Sequence, residues 1–341
     1  MPGTYRGMMT IQFNDPHIHF AIDAVRQASL LIRHIQAELA PQAAEKEDRS
    51  PVTVADFSAQ ALVGMLLAQH LPAESLVGEE STGMLADPAN RAISEQTRHY
   101  VSEVVPGAAT DQVLEWIDRG NAEPGDTFWT LDPLDGTLGF LRGDQYAVAL
   151  GFIQGGVVQI GVLGCPNLRD ASIEDRTGPG SLIVAQRSRG TWTTTLAGSN
   201  EYRKLSVSAI EDGSQARLVR SVEKAHTNAS RVDLLAEALG SLQPPMLMDS
   251  QAKYALLAAG AGEAVLRLLS KDRPNYREKI WDQAAGSLVV EEAGGKITDL
   301  DGKPLDFKHG RTLAQNRGVV ASNGRLHEKI LQAVKKIEKL G

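Results

Sequence analysis

One ten-residue stretch, Phe-Trp-Thr-Leu-Asp-Pro-Leu-Asp-Gly-Thr at positions 128–137, constrains this chain more than any other. Its apolar start predicts a buried strand, and functional groups often follow such a strand. Pro133 fixes its own φ and has no N–H, so Asp132 and Asp135 lie on a stiff corner. With the Leu134 carbonyl as a neutral ligand, this corner suits a hard cation. Taken by itself, the Asp-Pro-x-Asp pattern is explained equally well by a plain turn between a strand and a helix, with Asp as the N-cap.

The two residues after the second aspartate fit the same interpretation. Gly136 permits a close backbone approach. Thr137 adds a hydroxyl and an amide at a predicted helix start, which is a favourable position for a phosphate group.

Length and charge narrow the class of protein. The chain has 341 residues, 42% of them hydrophobic, and a formal net charge of −7, which is typical of a soluble enzyme with two fused halves or one large α/β unit. The negative charge argues against nucleic-acid binding, and the lack of a long apolar run argues against a membrane span. The single Cys165 excludes an intrachain disulfide and suits the cytoplasm. Its apolar neighbours predict a buried, unreactive thiol.

Helix and strand patterns divide the chain into two predicted parts. Residues 1–208 are expected to form an α+β half with an antiparallel sheet, which carries most of the candidate metal ligands. Residues 146–153 and 157–163 are predicted to pair in it as a hairpin. Residues 209–341 alternate short strands with helices, which indicates a second, α/β half.

Three segments give weaker patterns. Residues 1 to about 15 are predicted to be a loose arm, and residues 139–143 a turn. The segment 82–126 is polar, contains one predicted helix near 111–118, and carries no recognisable motif.

Acids recur at the ends of other predicted elements. Asp56 lies near a helix start, Glu79 follows a short strand, and Asp282 opens another helix. Capping alone can explain an acid at a helix start, so it remains an alternative for Asp56 and Asp282. The sequence has neither a Cys-x-x-Cys nor a His-Glu-x-x-His pattern, and ligands that are all oxygen indicate Mg²⁺ rather than Zn²⁺.

Three dispersed motifs match one family. Gly-Glu-Glu-Ser at 78–81, Leu-Asp-Pro-Leu-Asp-Gly-Thr at 131–137 and Trp-Asp-Gln-Ala-Ala-Gly at 281–286 resemble the signatures of the lithium-sensitive, Mg²⁺-dependent phosphatases of the inositol monophosphatase superfamily. The resemblance extends from about residue 17 to the C-terminus. It implies a layered α/β fold, the α-β-α-β-α sandwich of inositol monophosphatases and fructose bisphosphatases, with the site between the two halves.

Within this superfamily the chain resembles the 3′(2′),5′-bisphosphate nucleotidases. The resemblance depends chiefly on Gly-Phe-Leu-Arg-Gly at 139–143 and Asp-Ser-Gln-Ala-Lys-Tyr at 249–254. It implies hydrolysis of adenosine 3′,5′-bisphosphate to AMP and phosphate, with 3′-phosphoadenylyl sulfate as a second substrate. The chain departs from the subfamily at residues 225–230, where relatives often carry a second histidine that is missing here.

The resemblance also implies roles for individual residues in the metal site. Asp56 and Thr137 resemble the water-activating pair, in which the carboxylate accepts a proton from the hydroxyl; a Thr hydroxyl is too weak a base to act alone. Two or three Mg²⁺ ions would be held by Glu79, Asp132, the Leu134 carbonyl, Asp135 and Asp282.

The implied substrate contacts include two cations, Lys253 and Arg267. They can neutralise the phosphate that is retained, which a plain inositol monophosphatase would not need, although ordinary helix-surface charge is the alternative. Tyr254 and Trp281 can stack on adenine or pack in the core, and Glu80 lies either behind the metals or at the surface. The complete set of implied substrate contacts is Gly136, Thr137, His226, Ser250, Lys253, Arg267 and Asp282.

Two other functions fit the same residues. One is another phosphatase of this superfamily, acting on an inositol phosphate or on fructose 1,6-bisphosphate. The other is a non-catalytic sensor of Mg²⁺ and nucleotide, which the presence of both Asp56 and Thr137 disfavours. We expect a monomer that acts on a small nucleotide and has no nucleic-acid or membrane partner.

Overall fold

The computed structural model describes residues 8–11, 13–38, 44–45, 51–52, 54–85, 87–199, 201–222, 229–269 and 273–339. The helices within this part are α1 (Pro16–Glu38), α2 (Val54–His70), α3 (Arg91–Val104), α4 (Thr110–Asp118), α5 (Thr137–Arg142), α6 (Ala229–Leu239), α7 (Ala252–Ala258), α8 (Ala284–Glu292) and α9 (His327–Lys339). The strands are β1 (Met8–Thr10), β2 (Ala44–Glu45), β3 (Pro51–Val52), β4 (Leu76–Gly78), β5 (Thr127–Asp135), β6 (Ala147–Gln154), β7 (Val157–Cys165), β8 (Leu168–Arg169), β9 (Ile173–Glu174), β10 (Ser181–Gln186), β11 (Gly190–Thr195), β12 (Glu201–Lys204), β13 (Leu218–Arg220), β14 (Met246–Leu247), β15 (Ala264–Arg267), β16 (Lys296–Thr298) and β17 (Val319–Ser322).

The larger sheet has the strand order β1-β12-β11-β10-β7-β6-β5-β4. Its neighbours pair antiparallel except β4 and β5, which are parallel. The predicted hairpin is confirmed: β6 and β7 pair across Gly155 and Gly156, whose φ angles of +59° and +75° lie in the left-handed region that tight hairpin turns need. Most of β5, β6 and β7 is buried on both faces, because helices cover the sheet on either side.

The smaller sheet has the order β14-β13-β15-β17-β16. β13 pairs parallel with β14 and with β15, whereas β17 runs antiparallel to both of its neighbours. The alternation of short strands and helices predicted for this region is therefore observed. The two sheets lie on either side of the predicted boundary at residue 208, which itself stays a prediction.

Helices separate and cover the two sheets. α1 and α2 pack on one face of the larger sheet, and α8 packs on its other face. α7 and α8 also contact the smaller sheet, whose far side is covered by α6 and α9. Apolar cores fill the three spaces between these layers. This is the α-β-α-β-α arrangement that the family resemblance implies.

Three segments differ from the sequence-based expectations. Within the predicted loose arm, β1 pairs with β12, a contact that only the tertiary fold supplies. The segment 82–126 contains α3, whose buried Ile93, Thr97, Tyr100 and Val101 have helical spacing that the polar composition masked. Residues 139–142 belong to α5 rather than to a simple turn, and Gly143 ends that helix with φ +71°.

Two predictions from composition can be compared with the fold. Cys165 ends β7 and is fully buried, and burial raises the pKa of its thiol, as expected for an unreactive cysteine. Within the described part of the chain, every helix is too short or too polar to cross a lipid bilayer.

Candidate active site

The corner after β5 interrupts the pairing of the sheet. β5 pairs with β6 up to Asp132, and the register shifts before Asp135, because Pro133 cannot donate a ladder hydrogen bond. The N–H of Leu134 donates instead to Oδ1 of Asp132 at 3.2 Å. The Leu134 carbonyl accepts from the Thr137 hydroxyl at 3.3 Å. Local hydrogen bonds thus hold the corner in the stiff form that the sequence predicts.

The parallel pairing of β4 with β5 brings Glu79 to the same edge of the sheet. Gly78 lies opposite Leu131, and the Glu79 N–H donates to the Leu131 carbonyl at 3.2 Å. Because parallel strands end at the same side, Glu79 emerges beside Asp132, although the two are 53 positions apart in the sequence.

Glu80 is buried, so the alternative of a surface position is wrong. The side chain of Gln60 binds both the N–H and the carbonyl of Glu80. Gln60 Oε1 accepts from the Glu80 N–H at 3.0 Å, and Gln60 Nε2 donates to the Glu80 carbonyl at 2.7 Å. These bonds fix the path of the chain immediately after Glu79.

Five carboxylates from four separate segments interact at this edge. Asp56 lies in the first turn of α2, as predicted, and is 1% exposed. Burial raises the pKa of Asp132 far above its ordinary value, and nearby negative charges raise it further. The groups that supply this repulsion are Glu79, Asp135, Asp282 and Asp56. The structure therefore brings the predicted acids within electrostatic reach of one another.

Asp282 lies in the turn before α8 and does not cap that helix. The N-cap residue is Gln283, whose side chain makes no capping bond, so the capping alternative for Asp282 is wrong. Burial raises the pKa of Asp282, followed by the charge of Glu278, while Arg267 opposes the rise. Repulsion from Asp135 and Glu79 adds to it.

The Asp-Ser-Gln turn before α7 closes over the corner. The N–H of Gln251 donates to Oδ2 of Asp135 at 2.5 Å. The Gln251 side chain then reaches α8, where its Nε2 donates to the Trp281 carbonyl at 2.9 Å and its Oε1 accepts from the Gly286 N–H at 3.0 Å. Sequence reasoning assigned no role to Gln251, although it lies inside one of the matched motifs.

Lys253 is buried beside this corner, and Arg267 is largely covered and lies on a strand, so the helix-surface alternative is wrong for both. Lys253 is 5% exposed and donates to the Ser221 hydroxyl at 3.3 Å. Burial and then the Arg267 charge lower the pKa of Lys253 to about 8. Arg267, on β15, donates to Glu278 Oε2 through Nε at 3.2 Å and Nη2 at 3.1 Å. Burial raises the pKa of Asp135, and both cations oppose that rise.

The two aromatic candidates occupy packed positions. The Tyr254 hydroxyl donates to Gln283 Oε1 at 2.5 Å, and the ring lies against Gly286, where any Cβ would clash with it. Trp281 is 5% exposed, with the Arg311 guanidinium carbon 5.0 Å and the Lys279 amine 5.5 Å from its ring centroid. Core packing, rather than an open stacking surface, describes both rings.

His226, the remaining predicted contact, lies outside the described residues. Among the described residues, the compact group of three metal-ligand side chains lies elsewhere: His34, Glu38 and Glu103 place ligand atoms within 4.8 Å of one another on α1 and α3. None of the predicted acids belongs to that group.

The chemistry of the predicted donor set fits Mg²⁺. Its side-chain ligands are carboxylates, and a backbone carbonyl lies in the same corner. The raised pKa values of Asp132 and Asp282 show that the acids repel one another when only protein charges surround them. A divalent cation among them would relieve that repulsion, which is the behaviour expected of a metal site.

Comparison with known proteins identifies the family. The model of the inositol monophosphatase family matches residues 14–339. Among curated proteins, the 3′(2′),5′-bisphosphate nucleotidase of Oryza sativa is 41% identical over 91% of each chain. The protein of that name from Emericella nidulans is 37% identical over 93% of this chain and 97% of its own.

Solved structures agree at the level of the fold. An IMPase of Thermotoga maritima, 20% identical, superposes with a TM-score of 0.67 over 96% of this chain and all of its own. CysQ of Bacteroides thetaiotaomicron, described as a bacterial member of the inositol monophosphatase family, is 20% identical with a TM-score of 0.60, over 92% of this chain and 98% of its own. The matched motifs, the layered fold and the family model agree, and this chain belongs to the inositol monophosphatase family.

Proposed function

We propose that this protein is a phosphomonoesterase that removes the 3′-phosphate of adenosine 3′,5′-bisphosphate, giving AMP and phosphate. Its curated relatives from Oryza sativa, Emericella nidulans and Schizosaccharomyces pombe carry the name 3′(2′),5′-bisphosphate nucleotidase, at 37–41% identity over at least 91% of this chain. The structural observation that carries the proposal is the pair of cations beside the acidic corner, the buried Lys253 and the largely covered Arg267. 3′-Phosphoadenylyl sulfate, which has the same 3′-phosphate, is the expected second substrate.

The inositol monophosphatase family is generally dependent on Mg²⁺. When bound, Mg²⁺ supplies a Lewis acid that lowers the pKa of water and neutralises charge on the phosphate. In this chain two or three ions would be held by Glu79, Asp132, the Leu134 carbonyl, Asp135 and Asp282. The mutual repulsion of these buried acids supports that assignment.

Asp56 and Thr137 would carry the proton from the attacking water. The Thr137 hydroxyl accepts it and passes its own proton to Asp56, because a hydroxyl is too weak a base without a carboxylate behind it. In the structure this hydroxyl donates to the Leu134 carbonyl at 3.3 Å. The proposed step therefore requires the hydroxyl to rotate away from that acceptor.

The remaining contacts would orient the nucleotide. The amides of Gly136 and Thr137 would hold the phosphate that is removed, and Ser250 and Asp282 would contact the sugar. Lys253 and Arg267 would pair with the 5′-phosphate that stays. The pKa of Lys253, about 8, leaves its amine largely protonated at pH 7, and a bound phosphate would stabilise the charged form. An inositol monophosphate has no second phosphate that could pair with these cations.

The proposed enzyme acts as a monomer in a reducing compartment such as the cytoplasm. All the acids of the proposed site come from one chain, and the single cysteine is buried in the core. Its partner is a small nucleotide rather than a macromolecule.

A substrate panel tests the proposal. Phosphate release from adenosine 3′,5′-bisphosphate, inositol 1-phosphate, inositol 1,4-bisphosphate and fructose 1,6-bisphosphate would be measured with and without Mg²⁺. We expect the nucleotide to give the highest kcat/KM, and Mg²⁺ to be required. Inhibition by Li⁺ would agree with the family. A higher kcat/KM for a sugar phosphate would favour the alternative phosphatase, and nucleotide binding without phosphate release would favour the sensor.

A further inference from the structure

Arg311 joins the two segments that precede Glu79 and Asp282. Its guanidinium donates from Nη2 to the Gly78 carbonyl, from Nη1 to the Ala122 carbonyl at 3.1 Å, and from the same nitrogen to the Gly120 carbonyl at 3.5 Å. Gly78 is the residue immediately before Glu79, so one end of this contact lies next to a proposed ligand.

The same guanidinium also packs against the residue before Asp282. The Arg311 guanidinium lies over the ring of Trp281, 5.0 Å from its centroid, and Trp281 is the residue immediately before Asp282. A cation over an aromatic face, with a flat guanidinium stacked on the ring, is attractive as well as space-filling.

Backbone pairing holds Arg311 in this position. The Ile280 N–H donates to the Arg311 carbonyl at 3.2 Å, and the Leu313 N–H donates to the Glu278 carbonyl at 2.8 Å. Lys279 and Thr312 form the bridge between these two bonds. Arg311 is therefore fixed to the segment that carries Asp282, and its side chain extends to the loop that carries Glu79.

We infer that Arg311 is a positioning residue that holds Glu79 and Asp282 at the separation that metal binding requires, an inference that rests on the metal ligands of the proposed function. Both are carboxylates, which repel each other when charged, and they belong to segments more than 200 residues apart in the sequence. The guanidinium bonds oppose their separation. In this role Arg311 acts through Gly78 and Trp281 rather than by binding the phosphate or a metal ion itself.

The positioning role of Arg311 can be tested by measuring metal binding directly, in the absence of substrate. Calorimetric titration of the purified protein with Mn²⁺ would compare the wild type with Arg311→Ala and Arg311→Lys. Loss of groups that orient metal ligands costs about ten- to a hundredfold in affinity, and we expect that loss for Arg311→Ala. Arg311→Lys should have an intermediate Mn²⁺ affinity, because lysine keeps the charge over Trp281 but lacks the planar fork that reaches three carbonyls.

Arg187 provides a matched control. It too joins the layers, donating to the Val158 carbonyl through Nε at 3.1 Å and pairing with Glu291 at 2.8 Å. Neither partner adjoins a proposed ligand, so Arg187→Ala should lower the unfolding temperature without changing Mn²⁺ affinity. If Arg311→Ala does not fold, the same comparison is made with Arg311→Lys.

The outcomes separate this role from the proposed function. The role of Arg311 would be overturned if folded Arg311→Ala bound Mn²⁺ with unchanged affinity. It would also be overturned if Arg311→Lys and Arg187→Ala lost Mn²⁺ affinity equally. In kinetics, the role predicts a higher Mg²⁺ concentration for half-maximal rate and a kcat near wild type at saturating Mg²⁺. A wild type that binds Mn²⁺ but does not hydrolyse the nucleotide would refute the proposed function and leave the Arg311 comparison intact.

Discussion

Gly136 and Ser250 approach so closely that a Cβ added to Gly136 would stand 2.9 Å from the Cβ of Ser250. Both residues have left-handed backbone conformations, with φ +90° and +64°. Gly136 follows the acidic corner, and Ser250 precedes Gln251, whose N–H binds Asp135. This contact sets the distance between the corner and the Asp-Ser-Gln turn, and it requires a residue without a side chain.

Gly136→Ala is therefore expected to impair the site, whereas Gly143→Ala provides a matched control. Gly143, at the other end of α5, also has positive φ (+71°), but an added Cβ there meets nothing within 4 Å. Both variants should lose about 1–2 kcal/mol of unfolding free energy from the left-handed conformation. Only Gly136→Ala should also lose phosphate release, by about tenfold or more. Equal activity of the two variants would contradict this account.

Asp132→Asn is expected to separate activity from stability. The neutral amide removes a metal ligand, so phosphate release should fall by at least about a hundredfold. It also removes a buried acid whose charged form burial and four neighbouring carboxylates disfavour, so without metal the unfolding free energy should stay the same or rise. Urea unfolding in EDTA and a phosphate assay measure the two effects. The control is Asp126→Asn, at an exposed position before β5, which should change neither the unfolding free energy nor phosphate release. Wild-type activity in Asp132→Asn would refute the metal assignment.

Lys253→Met should change substrate preference. Methionine fills the buried position of Lys253 but cannot pair with a phosphate, so kcat/KM for adenosine 3′,5′-bisphosphate should fall by about ten- to a hundredfold. The value for inositol 1-phosphate, which has no second phosphate, should change much less. Lys204→Met removes an exposed amine that lies over Trp192 and serves as the control. Equal losses for both substrates in Lys253→Met would show that this lysine does not recognise the retained phosphate.

His327 should make folding stability sensitive to acid. Thr298 donates its hydroxyl to the Asp299 carbonyl, so it accepts from Nε2–H of His327 at 3.0 Å, and Ser322 donates to Nδ1 at 2.8 Å. Protonation of Nδ1 removes the acceptor that the Ser322 hydroxyl uses, so this bond must reverse, and burial lowers the pKa of His327 from 6.5 to about 4. The unfolded chain therefore binds more protons between these pH values. The unfolding free energy should fall by about 2 kcal/mol as the pH drops through this window.

Urea unfolding between pH 7 and pH 4 measures this dependence. His327→Gln removes the titrating group and should flatten the part of the curve that His327 causes. His309→Gln, the same change at a half-exposed histidine, is measured beside it for comparison. An identical pH dependence in wild type and His327→Gln would assign the acid sensitivity to other groups.

Local sequence was sufficient to find the residues of the acidic corner. The Asp-Pro-Leu-Asp-Gly-Thr run determines its own geometry through a proline, a left-handed glycine and hydrogen bonds between near neighbours. The end of a strand or the start of a helix likewise marked Glu79 and Asp56. Once three such motifs matched one family, the layered fold followed, and the structure agrees with it.

The residues that hold the motifs together were not predictable in the same way. Gln251 binds Asp135 across 116 positions of sequence, and Arg311 binds the Gly78 carbonyl across 233. Nothing local to either side chain indicates such a partner. The alternative of ordinary surface charge for Lys253 and Arg267 stayed open for a related reason, since only the packing of α7 and β15 against the rest of the fold buries Lys253 and covers most of Arg267.

A crystal soaked in Mn²⁺ and measured at a wavelength where manganese scatters anomalously tests the central claim most directly. We expect anomalous peaks among Glu79, Asp132, Asp135 and Asp282, with the Leu134 carbonyl as a further ligand, and loss of these peaks in Asp132→Asn. Well-ordered acids with no anomalous density among them at saturating Mn²⁺ would contradict the account.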